Sequence, residues 1–391
     1  MESRRSEETR QATNVKVIVS LTMIHFIGDA YFSFFQPLIP TFMEQFSLTL
    51  AQVGLLTGAS RFLAFIVQPS VGYLSDHYRT RFFILGGPLL AIVFIPLIGI
   101  ADGFAGLLSF ICLGAVGSAM FHPAVAGMIS TYAGSNFGLC MSVFNMGGTL
   151  AFGVGPVFIT WFVERFGLGL SPVTMVFGLA VMIYLFLTVP IPEGEGLRSR
   201  GFIGSVQEAL GDSWKSIVFI WIAMVLRSLV VQSFTTFLPV IYAGQDRSLI
   251  SIGVLVALFT VAGALSGVLG GHIGDRVGFK PVFYVSYLLT PPTLIALISS
   301  SGNWVYLNAF LAGFCAMATL PLGIAMAQKL SPRGKSMVSS LMMGLAMGTG
   351  GMLTPLVGKL SDLFSIQTVL MCLAVIPFFS IGFIYRVEEK R

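Results

Sequence analysis

Five ionisable side chains fall inside stretches of this chain that are otherwise apolar: His25, Asp29, Arg61, His122 and Arg227. Carrying a charge into an apolar segment of membrane length costs about 2.5–3.5 kcal/mol on insertion scales, so such residues are functional candidates by default. Histidine titrates near neutral pH, and a buried carboxylate can carry a proton. Arginine grips a carboxylate or phosphate through a planar fork of donors. The chemistry on offer is therefore proton handling and anion recognition. Bond-breaking chemistry is poorly served: there is one deep acid, no Gly-x-Ser-x-Gly and no His-Glu-x-x-His, so the chain does not read as an enzyme.

Asp29 is the only acid well inside an apolar run, which makes it the candidate proton carrier. His25, Asp29, Ser33 and Gln36 follow at steps of four, four and three, so they form a polar stripe along one helix face that must point inward. Arg61 and Arg227 can either neutralise Asp29 or hold the charge of a substrate. Two arginines against one carboxylate give the interior a net positive potential, which favours an anionic small-molecule substrate. His25 and His122 can carry protons or simply hydrogen-bond neighbouring helices. Gln36, Gln232 and Asn145 add neutral polar groups to the same candidate surface.

These residues need a scaffold, and composition defines it. Hydrophobic residues make up 55% of the 391 and charged residues 10%, with a mean hydropathy of +0.88. A soluble chain of this length would need more polar surface. Twelve apolar runs lie near 15–40, 50–74, 82–100, 106–132, 138–163, 172–191, 215–243, 250–270, 281–300, 304–328, 337–361 and 367–386. Each is close to the ~20 residues that cross a bilayer. Most connections between them are short, which makes consecutive helices antiparallel neighbours and leaves no room for a separate catalytic domain.

The chain is also duplicated. The run Gly271-His-Ile-Gly-Asp275-Arg276-Val-Gly278-Phe-Lys280 echoes Gly72-Tyr-Leu-Ser-Asp76-His77-Tyr-Arg79-Thr-Arg81, 199 residues earlier. Gly54 with Gly253, Pro40 with Pro239 and Pro156 with Pro355 keep that register. The expectation is an all-α membrane protein of twelve helices in two pseudo-symmetric bundles, 1–191 and 215–391, with a cytoplasmic linker over 192–214. In that linker Ile203, Val206, Leu210 and Trp214 recur at helical spacing. Glycine clusters at Gly147, Gly148, Gly153 and Gly155, and again at Gly344, Gly348, Gly350 and Gly351, mark close helix contacts.

A net charge of +5 could point to nucleic acid, but its placement does not. Basic residues gather on the side of the two termini, leaving Arg165, Arg247 and Lys359 on the other. That asymmetry places both termini in the cytoplasm. The four cysteines (Cys112, Cys140, Cys315, Cys372) sit within apolar runs without metal-ligand spacing, so neither a metal nor a cofactor is expected. The polar tail leading into a full-length span reads as lacking a removable signal peptide.

The Gly-x-x-x-Asp-Arg-x-Gly-x-Lys run resembles the loop signature of the major facilitator superfamily, found there after the second and eighth helices. The second copy is nearly complete, whereas the first has Arg79 and Thr80 at positions usually held by Gly and a basic residue. Phe46-Ser-Leu-Thr49-x-x-Gln52-x-Gly54, Gln68-Pro69-x-x-Gly72-Tyr73, Phe121-His122-Pro123 and His25-x-x-x-Asp29 resemble the fosmidomycin-resistance branch. The resemblance implies the major facilitator fold, a monomer in the cytoplasmic (inner) membrane, and proton-coupled export of a small organic solute or drug. It also implies gating by the loop residues Asp76, Arg81, Asp275, Arg276 and Lys280. Ala124 and Gly127 stand where that branch has Glu and Arg, which favours the alternative of an uptake or exchange carrier for a small organic anion.

Overall fold

The computed structural model describes residues 13–77, 81–191, 210–331, 338 and 341–388. Every regular element among them is helical. Twelve segments are long and apolar enough to cross a membrane: α1 (Val15–Phe46), α2 (Leu50–Gly72), α3 (Phe82–Ile100), α4 (Phe104–Ile129), α5 (Leu139–Phe166), α6 (Leu168–Thr188), α7 (Gly211–Ala243), α8 (Leu249–Val277), α9 (Phe279–Ile298), α10 (Trp304–Leu330), α11 (Leu341–Leu363) and α12 (Ile366–Tyr385). The expected linker residues 192–209, including Ile203 and Val206, lie outside the described residues, as do Arg79 and Thr80.

Not every segment is a single rod. The α-helix of α1 stops at Phe32, and a short 3-10 turn over Gln36–Leu38 leads into a second helix from Ile39. Pro37 and Pro40 account for the break, since each lacks an N–H and disfavours helix in the residue before it. In α10, helix Trp304–Met317 gives way to Thr319–Leu330. In α11, a π-helical stretch over Leu341–Ala346 is followed by two helices that meet at Leu353. Their counterparts α4 and α5 run within unbroken helices of 29 and 30 residues.

Within the first half, α1 packs on α5 and α3, and α4 packs on α3 and α2; within the second, α7 packs on α11 and α12, and α10 on α8 and α9. The halves meet through two symmetric pairs, α2 with α11 and α5 with α8. Both contacts are tightest at the end away from the termini. A Cβ added at Gly54 would stand 2.8 Å from Pro355 Cα, and one at Gly253 would stand 2.7 Å from the Pro156 carbonyl. Thr236 Oγ1 bonds Thr57 Oγ1 across the halves at 3.1 Å. Toward the other end the contact loosens: a Cβ at Gly344 on α11 would stand 3.8 Å from Gln68 Oε1 on α2, and Gly271 on α8 has nothing within 4 Å. The two halves thus meet closely at the end away from the termini, here the sealed end, and less closely at the other, the open end.

Candidate functional site

Glycines set the geometry of the first half. Gly148 leaves room for the His25 ring, whose Nε2 would lie 2.5 Å from a Cβ at that position, and Gly147 takes the Thr22 carbonyl. Gly28 receives the edge of Phe121, 2.6 Å from where its Cβ would be. These close approaches press α1 against α4 and α5, and in doing so bring His25, Asp29 and His122 together.

Asp29 is 3% exposed. Its Oδ2 lies 3.2 Å from His25 Nε2, one helical turn away, and its Oδ1 lies 3.3 Å from His122 Nε2. The Oδ1 contact is electrostatic and lacks the alignment of a hydrogen bond. Each histidine also places Nδ1 on a backbone carbonyl, His25 on Phe144 at 2.9 Å and His122 on Ser118 at 2.6 Å. A carbonyl only accepts, so Nδ1 carries the hydrogen and Nε2 is left to face the carboxylate. Both Nε2 atoms therefore face one carboxylate. Without added protons the contacts set lone pair against lone pair, and each proton taken up turns one into an attraction. His25 stacks on Phe144 with centroids 4.1 Å apart and is buried. The His122 side chain is 31% exposed, which makes it the member that meets water.

The three ligand atoms fall within 4.8 Å of one another, close enough to share a cation. Arg61 lies within electrostatic range of both Asp29 and His122. Its charge opposes a divalent ion at that position. Among the described residues Arg61 closes no ion pair, and its Nε is buried without a hydrogen-bond partner. Gly351 makes way for its stem, with a Cβ there 2.5 Å from Arg61 Cγ.

Arg227 sits elsewhere. It is 3% exposed, and Nη2 donates to the Met317 carbonyl at 3.3 Å. It shares its surroundings with the Tyr287 phenol, itself close to Thr319. Nε of Arg227 and Oγ1 of Thr319 are buried without well-aligned partners. Among the described residues no carboxylate lies within ion-pair distance of Arg227 or Arg61; both ion-pair contacts found belong to Asp29.

The remaining candidates divide. Gln232 is buried on α7 with Oε1 unpartnered, Asn145 is exposed on α5, and Gln36 lies in the turn beyond the first helix of α1. The stripe expected to run from His25 to Gln36 thus ends within the helix, and Ser33 turns its hydroxyl back to the Ala30 carbonyl at 2.7 Å. At the open end, Arg81 donates to the carbonyls of Phe186 and Val189 at 2.9 and 3.0 Å. Lys280 reaches the Tyr385 carbonyl at 3.4 Å. These are symmetric partners: Arg81 and Lys280, like Phe186 and Tyr385, are 199 residues apart. Each base covers the C-terminal carbonyls of its own half's sixth helix, a favourable place for a cation. Asp275 and Arg276 are exposed, and the Asp76 side chain lies outside the described residues.

At the sealed end, two acids not singled out from sequence bridge the halves. Asp362 accepts from the backbone N–H groups of Leu50 and Ala51, both at 2.9 Å. Glu164 accepts from Ile250 N–H at 2.9 Å.

The model of the Major Facilitator Superfamily matches residues 21–249 and 220–391. The fosmidomycin resistance protein of Escherichia coli (strain K12) is 25% identical over 378 residues, covering 94% of this chain and 92% of that protein. An uncharacterized MFS-type transporter of Bacillus subtilis (strain 168), YfnC, is 24% identical over 395 residues, covering 96% and 93%. Among solved structures, a bacterial homolog of the human lysosomal transporter Spinster, inward-facing and unoccupied, superposes with a TM-score of 0.81 at 17% identity, covering 96% of this chain and 98% of that one.

Proposed function

The chain belongs to the Major Facilitator Superfamily, and on that premise we propose that it carries a small organic anion across the cytoplasmic membrane by alternating access, coupled to protons and in the direction of export. One observation carries the reading. Asp29 makes its close contacts with His25 and His122, so Arg61 feels it only at longer range and Arg227 has no carboxylate partner among the described residues. A buried guanidinium without a counter-charge is expensive, and an anionic substrate is the group that would relieve it. The triad in the first half then serves protons, and Arg227 in the second half serves the substrate. With both termini in the cytoplasm, the sealed end is the outer one and the open cavity receives solute from inside. Export is the direction that resistance, the printed activity of the Escherichia coli relative, would require.

A second reading is favoured by electrostatics. Loading protons on the triad adds positive charge beside Arg61, which attracts an anion instead of repelling it. That linkage suits co-transport of anion and protons. Proteoliposomes with an imposed pH gradient and a panel of carboxylates and phosphonates separate the two. Anion binding that releases protons supports exchange and export; anion binding that takes them up supports co-transport. Flux of cations alone would overturn both.

A further inference from the structure

Acids in the last turn of a helix oppose that helix's own dipole. Glu164 stands in the last turn of Phe137–Phe166, and Asp362 in that of Thr354–Leu363. Neither serves its own helix. Each instead reaches into the other half and meets the start of a long helix, Leu50–His77 or Leu249–Val277.

Those helix starts are already partly capped from within. Thr49 Oγ1 accepts from Gln52 N–H at 3.2 Å, and Ser248 Oγ accepts from Ser251 N–H at 3.2 Å. The N–H groups left over include Leu50 and Ala51 in one case and Ile250 in the other. Ala51 and Ile250 are equivalent in the 199-residue register, and Asp362 lies one residue short of the position matching Glu164. The same device has been kept in both copies, at the end where Gly54 meets Pro355 and Gly253 meets Pro156.

We propose that Asp362 and Glu164 are the paired latches of the outer gate, gripping the N–H groups that begin α2 and α8 whenever the cavity faces inward and releasing them for each outward-facing step. They are positioning residues: they touch no substrate and act by weighting one conformation against the other. A charge-assisted hydrogen bond is worth about a tenfold change in that balance. The inference rests on alternating access, and its test needs neither substrate nor protons, so it can fail while the transport reading stands.

Thr57, in the helix that begins at Leu50 and bonded across the halves to Thr236, is 2% exposed, and Thr57→Cys reports opening through its rate of reaction with a water-soluble maleimide. The full chain is purified with Cys112, Cys140, Cys315 and Cys372 replaced by serine. A cysteine placed at Ala223, fully buried inside the second half, reports general loosening. The expected result is labelling at position 57 about tenfold faster, or more, in Asp362→Asn/Glu164→Gln. Labelling at position 223 should stay unchanged. Asp102→Asn, an exposed acid near the same end, should leave both rates alone. An unchanged rate at position 57, or equal acceleration at both sites, overturns the proposal. If the double variant does not fold, Glu164→Gln alone is read by the same criteria, and an unchanged rate there is equally fatal.

Discussion

Asp29 and Arg227 stand one residue apart in the 199-residue register of the two halves, yet they do not pair. Asp29 turns to His25 and His122 within the first half, and Arg227 turns to the Met317 carbonyl within the second. Acid and base each find their partners locally, so on the proposed reading proton and anion chemistry should be separable by mutation.

Asp29→Asn removes the negative charge that faces His25 and His122. Substrate-driven proton movement should fall about tenfold or more, while exchange of labelled substrate across the membrane continues. A pH-sensitive dye inside proteoliposomes measures the first and isotope exchange the second. Proton movement that survives the substitution rules out Asp29 as the carrier.

Arg227→Met removes a buried cation that has no carboxylate partner. The unliganded protein should gain about 1–3 kcal/mol of stability, and the thermal stabilisation produced by anions should vanish. Arg227→Lys keeps the charge but loses the fork, and about tenfold weaker anion binding is expected. Undiminished anion stabilisation in Arg227→Met would contradict the assignment.

Gly28→Ala places a methyl group 2.6 Å from the Phe121 ring. Phe121 cannot yield without moving His122, its neighbour in the chain. The substitution should cost about 1–3 kcal/mol in melting experiments and reduce proton coupling in the manner of Asp29→Asn, although it touches no titrating group.

Arg81→Ala and Lys280→Ala each uncover helix-end carbonyls in their own half. Losses of about 0.3–1 kcal/mol apiece are expected, additive because the two sites lie in separate bundles. Neither should change maleimide labelling at position 57, which responds to contacts across the halves.

The fold was largely open to reading from sequence because span length, hydropathy and duplication are properties of order along the chain. The twelve segments match the twelve apolar runs, and the scarcity of charge within them singled out Asp29, His25 and His122. What order could not supply was facing. A polar stripe drawn on an unbroken helix reached Gln36, but Pro37 and Pro40 end that helix early. The depth of Arg227 was evident from its register, whereas its turn toward α10 depends on packing within the second half. Asp362 and Glu164 resembled ordinary surface acids. Their signal was present in their near-equivalence across the repeat and in their place at the wrong end of their own helices.

The joint in α10 gives Arg227 a second consequence. Met317 is the last residue before that joint, so its carbonyl is one that the helix itself leaves unpaired, and Arg227 holds it. On the reading proposed above, an anion drawn to the guanidinium would compete for the same donors and slacken the strut they provide. On that reading the arrival of cargo would be felt at the joint of α10, whereas its counterpart α4 stays one helix through Pro123. Two copies of one ancestral unit have become a rod and a lever.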